Sequence, residues 1–123
     1  MRDYIISALV VFLVAGGLRF DPLGMIRYEE TVHPGEELVV YVNAINELNE
    51  NLNNVRVSVF FHELDLFAVT TQFDLENNGR HAKVLSIYIP PDTPKGLYLM
   101  QISMQNENDI TFRERDFRYV WVV

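Results

Sequence analysis

The sequence contains no cysteine, which excludes thiol catalysis, disulfides and thiolate metal sites. Basic residues are few and scattered: 10 Lys and Arg stand against 17 Asp and Glu, for a formal net charge of −7. Binding nucleic acid or anionic lipid through charge needs a basic face that neutralises phosphate, and no basic cluster is present. There is no glycine-rich phosphate loop and no Ser or Thr in a nucleophile-elbow context. No Asn-x-Ser/Thr acceptor for N-glycosylation occurs either. An apolar run of about 20 residues, the length of a membrane-spanning helix, is also missing.

What is present is a chain of 123 residues, 49% hydrophobic and 12% aromatic. That is a globular composition, long enough for one domain and too short for two well-packed ones. A shorter apolar run opens it, from Ile5 to Ala15 with Ser7 as its one interruption. Its length matches the hydrophobic core of a signal peptide, and Ala15, Gly16 and Gly17 supply small residues for cleavage. Left uncleaved, residues 4–18 form a marginal anchor and the only membrane contact expected of the chain. The competing reading is a first strand or helix of the core, with β-branched Ile5, Ile6, Val10, Val11 and Val14. A half-buried strand shows a polar face, and this run has none. The expected organisation is therefore an export segment or membrane anchor over residues 1–20 and one β-sandwich over residues 21–123, outside the cytoplasm.

From Leu23 onward, short alternating segments are separated by turn residues at intervals near ten, the spacing of an antiparallel sandwich. Strands are expected over 25–31, 38–46, 55–61, 66–73, 82–89, 97–105 and 110–123, seven in all. Within them Val40, Val42, Val57, Val59, Ile87, Met100 and Ile102 share inward phases. Pro34-Gly35 marks a turn. Asn77-Asn78-Gly79 signals a type I′ hairpin, which needs positive φ at both central residues. Pro90, Pro91 and Pro94 keep the stretch from Pro90 to Gly96 out of any ladder, because proline has no N–H to donate. No segment after residue 20 sustains a 3.6-residue period. The body reads as all-β.

Three stretches in this order, VHPGEELVVYVNAIN, LNNVRVSVF and VLSIYIPPDTPKGLYLMQISMQN, resemble the immunoglobulin-like repeats of archaeal and bacterial cell-surface proteins. These include the adhesion-type and sugar-hydrolase-associated modules called CARDB and NEW3. The shared pieces are a Pro-Gly-Glu turn before strand B, a Leu-x-Asn-Val step at Leu52 to Val55, and Gly96-Leu97-Tyr98 after a proline-rich loop. The resemblance covers about Thr31 to Val123. It implies an immunoglobulin-like sandwich in a surface setting, with no activity attached. It also implies that Tyr98 is the structural corner, its hydroxyl bonded to backbone near Asp92.

Candidate chemistry is sparse. His33, His62 and His81 lie in or beside three different turns without paired spacing, which reads as solvated histidines and not as a metal site. Glu29-Glu30, Glu36-Glu37 and Glu63 with Asp65 are acidic pairs of the kind glycosidases use, yet neighbours on a strand face opposite ways. Asn106-Glu107-Asn108-Asp109 offers oxygen ligands but lacks the glycine and spacing of a calcium loop. No catalytic residue, metal ligand or cofactor is assigned, and the chain is read as a non-enzyme. Arg113-Glu114-Arg115-Asp116 suits an edge or bulge that resists strand addition. Tyr41, Phe60, Tyr119 and Trp121 either form a partner- or sugar-binding surface or pack into the core. The expected function is a non-catalytic structural or interaction module at the cell surface, accessory to a surface layer. Its partners are other surface proteins or further copies of itself. The competing functions are carbohydrate or protein recognition, and a filament subunit that assembles through its N-terminal apolar segment.

Overall fold

The computed structural model describes residues 24–106 and 113–123. The export or anchor segment therefore lies outside the described residues, as do most of the acidic loop after Asn106 and the first part of the last expected strand. Among the described residues there is no helix, and none is long and apolar enough to cross a membrane. The chain forms strands β1 (Ile26–Tyr28), β2 (Thr31–Val32), β3 (Glu37–Ile45), β4 (Leu52–Phe61) and β5 (Leu66–Val69). These are followed by β6 (Phe73–Leu75), β7 (Arg80–Tyr88), β8 (Gly96–Asn106) and β9 (Arg113–Val122).

Two sheets result. The smaller has the order β1-β3-β7 and the larger β2-β9-β8-β4-β5, with β6 on β4 as well. All pairings are antiparallel except the short parallel one between β2 and β9. This is the immunoglobulin-like arrangement, with the first strand shared between the sheets.

Strict alternation builds the core. Leu38, Val40, Val42 and Ala44 of β3, with Leu85 and Ile87 of β7 and the adjoining Ile89, face Val55, Val57, Val59 and Phe61 of β4. Met100, Ile102 and Met104 of β8 and Val120 and Val122 of β9 close the same layer. Every residue expected inward by phase is at most 3% exposed. The Pro34-Gly35 turn is closed by Glu36 N–H donating to His33 C=O at 3.1 Å, with Gly35 at φ 88°. A glycine in that position is what a type II turn requires.

Three expectations are corrected. The strand expected over 25–31 is two strands on opposite sheets, because the chain crosses at Glu29-Glu30 and Glu30 C=O accepts from Trp121 N–H at 2.8 Å. The strand expected over 66–73 is also two. Thr70 pairs with Val57 through its own N–H (2.9 Å) and accepts the Val57 N–H on its side-chain oxygen (3.1 Å). The following residues step away before β6 rejoins β4 with a shifted register. These two breaks turn seven expected strands into nine among the described residues. Finally, Asn77-Asn78-Gly79 is no hairpin. Its turn is closed by Gly79 N–H on Glu76 C=O at 2.7 Å, and only Asn78 has positive φ. The strands on either side, β6 and β7, belong to different sheets, so the turn carries the chain between layers.

Candidate interaction face

The outer face of the larger sheet is where the aromatic side chains converge. Phe117 of β9, Gln101 of β8, Phe60 of β4 and Phe67 of β5 stand opposite one another as a single rung across four strands. All four have the outward phase, since their neighbours along each strand turn inward. Phe67 is 68% exposed and Phe117 44%. The Phe60 and Phe67 rings meet edge to face, 6.4 Å apart at 85°, and the His62 ring lies 4.2 Å from Phe60 at 55°. His62 Nε2 and Gln101 Oε1 share a 2.8 Å hydrogen bond, and Gln101 Nε2 donates to Ser103 Oγ at 2.9 Å. These contacts fix the middle of the rung without burying it.

Toward one end the face continues as Tyr119 opposite Leu99 and Trp121 opposite Leu97. Tyr119 is 60% exposed and Trp121 50%. Toward the other end it turns polar, through Arg115, Ser103, Ser58 and Val69 in one rung and Gln105 with half-buried Arg56 beyond. No Asp or Glu occupies an outward position on β4, β5, β8 or the described part of β9, and Asp74 of β6 stands exposed beyond this polar end, accepting from Asn54 N–H at 3.2 Å.

Of the four aromatic residues singled out in the sequence, the structure brings three together. Phe60, Tyr119 and Trp121 share this face. Tyr41 does not: it is on β3 in the smaller sheet, opposite Val84, with the Arg27 guanidinium 5.7 Å from its ring centre. Phe117, Phe67 and Leu97 belong to the face and were not singled out. Their signal was the outward phase of a large apolar residue in each strand. Pairing across strands is needed before that phase becomes a surface.

Tyr98, at the start of β8, donates its hydroxyl to the Pro94 carbonyl at 2.7 Å. This is corner geometry with the acceptor two residues later than Asp92. Asn46 was overlooked. It is fully buried, its amide donates to Glu50 C=O (2.8 Å) and Leu75 C=O (2.9 Å), and its carbonyl oxygen accepts from Leu48 N–H (2.9 Å). It thereby folds the polar loop after β3 onto the core. An asparagine closing an apolar strand before an Asn-rich loop is the signal that marks it.

The histidines are separate. His33 Nδ1 lies 3.0 Å from the Val123 carbonyl, His62 is held at the rung, and His81 packs on Phe73 at 5.5 Å. Among the described residues no three metal-capable side chains gather. The Glu36 carboxylate accepts from His33 N–H at 3.1 Å and that of Glu37 from the Ser86 hydroxyl at 2.9 Å. Glu63 accepts from Leu99 N–H at 3.5 Å.

Glu114, Asp116 and Arg118 take inward phases on β9, opposite Met104, Ile102 and Met100, and Asp116 pairs with Arg118 at 2.7 Å. They lie past the end of β2, where β9 becomes an edge. Charges turned inward at an edge oppose the docking of another strand. An open groove beside them, where the first strand changes sheets, is lined by Tyr28, Glu29, Glu30, Glu36, Glu37 and Arg118 among others. Burial raises the Tyr28 phenol above its ordinary pKa, the Arg118 charge opposes this, and Glu30 and Asp116 add to it. The Tyr28 hydroxyl donates to the Tyr119 carbonyl at 3.1 Å, which ties β1 to β9 across that groove.

No family model matches the chain, and no curated protein matches it. Among solved structures it is similar to a family 123 glycoside hydrolase from Clostridium perfringens, studied for glycolipid glycan hydrolysis. The identity is 13% and the TM-score 0.54, over 76% of this chain and 23% of that one. The present chain thus spans under a quarter of that protein's length. The likeness is one of fold.

Proposed function

We propose that this chain is a non-catalytic interaction module of the cell surface, accessory to a surface layer, and that it contacts its partner through the outer face of its larger sheet. The observation that carries the reading is the Phe117–Gln101–Phe60–Phe67 rung, exposed at its two ends and half-buried in the middle, flanked by exposed Tyr119 and Trp121. Large aromatic side chains left in water along a flat sheet lose hydration cost on docking, and contiguous apolar patches of this kind mark interaction sites. The face is a platform, without the concave convergence of polar groups that catalysis requires. Glycan hydrolysis, the subject of work on the similar hydrolase, is not carried over to this chain.

A protein partner fits this face better than a sugar. Stacking on pyranose rings calls for coplanar aromatics, whereas Phe60 and Phe67 stand at 85°, and Leu97, Leu99 and Val69 add aliphatic area suited to protein packing. The surface setting rests on the apolar run from Ile5 to Ala15 and on the resemblance to CARDB-like repeats.

Fractionation of the native host tests the reading. The protein is expected in the cell envelope, open to protease added to whole cells. Exchanging Phe67 and Tyr119 for Ser is expected to release it from the envelope without unfolding, and Val84→Ser on the other sheet is expected to leave it bound. Recovery from the cytosol, or equal retention of both variants, contradicts the proposal.

A further inference from the structure

The partner of this face follows from its size and its charge. Four strands about 4.8 Å apart, followed from Arg115 to Trp121 at about 3.3 Å per residue, span roughly 19 by 20 Å. Side chains standing from such a plane carry roughly twice its area, close to the ~800 Å² per partner of a standard interface. The face is also self-compatible in one orientation. Its exposed cation, Arg115, lies one rung to one side of Phe117, and its exposed Tyr119 lies one rung to the other. The net charge of −7 makes most other surfaces of a second copy repel one another, yet between the levels of Arg115 and Trp121 this face has no outward Asp or Glu on β4, β5, β8 or β9.

We propose that the outer face of the larger sheet is the interface of a homodimer, in which two copies stack with β9 antiparallel to β9 about a two-fold axis along the Phe117–Gln101–Phe60–Phe67 rung. This deepens, and rests on, the reading of that face as the contact surface. The axis sets Gln101 beside its own counterpart. It lays Arg115 of each copy over the Tyr119 ring of the other, a cation–π contact. Parallel stacking would set Arg115 at the same level in both copies and bring the cationic ends of the two faces together. Antiparallel stacking avoids this.

The absence of native cysteine makes the test direct, because an introduced thiol is the only one. Full-length Gln101→Cys, produced in cells and treated with a short bis-maleimide, is expected to run mostly as a covalent dimer. Val84→Cys, on the outer face of the smaller sheet, is expected to stay monomeric. Adding Phe117→Asp to Gln101→Cys is expected to abolish the dimer while thermal unfolding stays cooperative, since Phe117 is an exposed side chain. Arg115→Cys and Tyr119→Cys are expected to link to each other when co-produced, and neither to link to itself. Monomeric Gln101→Cys, or Val84→Cys linking as well as Gln101→Cys, overturns the dimer. Arg115→Cys linking to itself overturns the orientation. A monomer that still leaves the envelope on Phe67→Ser and Tyr119→Ser removes this inference and leaves the functional reading standing.

Discussion

Tyr98 does two separable jobs. Its ring packs against the core, and its hydroxyl holds the loop from Pro90 to Gly96 through the Pro94 carbonyl. That loop gains from an external tie, since its prolines provide no donors. The bond lies near the surface, so water can replace it in part. Tyr98→Phe is expected to cost about 0.5–1.5 kcal/mol, the net worth of one hydrogen bond. Tyr98→Ala also loses the ring and is expected to cost about 3 kcal/mol, toward the low end for aromatic truncation because the side chain is only half-buried. Urea melts of both variants check this. A Tyr98→Phe within about 0.3 kcal/mol of the parent, well inside the scatter of surface substitutions, means that the hydroxyl contributes nothing to the corner. Asn46 works at the same scale with three hydrogen bonds and no exposure. Residue type alone does not separate such a buried organiser from the solvated asparagines that follow it.

Along a single strand, phase was readable from sequence and strand partnership was not. Val55, Val57, Val59 and Phe61 face the core because a pleated strand alternates with period two, and that signal is local. Val57→Asp, with a wild-type side chain fully buried, places an unpaired charge in a dry layer and is expected to cost more than about 4 kcal/mol. Ser58→Asp, one residue on and facing out, is expected to stay within about 1 kcal/mol. Thermal unfolding of the pair checks the phase, and equal losses would show it to be wrong. The sheet that a strand joins depends on pairings between distant residues. For that reason Tyr41, in good phase on β3, was grouped with Phe60, Tyr119 and Trp121 although it faces away from them. The same reason explains Asn77 to Gly79, where a local turn signal was read as a hairpin. The two flanking strands had stronger long-range partners in β4 and β3. The break at Glu29-Glu30 had a visible sign in two adjacent charges, which interrupt alternation where the chain leaves one sheet for the other.

At the scale of the whole molecule, the apolar side chains that do not fit the core are distributed unequally. A sandwich with two sheets has two outer faces, and here they differ. The smaller sheet exposes Tyr41, Val84 and Tyr88, and the larger exposes Phe67, Leu97, Phe117, Tyr119 and Trp121 as one connected surface. The charged residues of β9 at its free edge resist strand addition there, while the connected apolar surface lies on the face of that sheet. Oxidative footprinting by hydroxyl radicals is the most direct test, because it reads both faces in one experiment, on protein held in the native envelope and on purified protein kept monomeric by dilution. The account predicts that Trp121, Tyr119, Phe117 and Phe67 are several-fold slower to oxidise in the envelope, while Tyr41 and Tyr88 react at the same rate in both states. Equal reactivity of the two faces, or protection confined to Tyr41 and Tyr88, would contradict it.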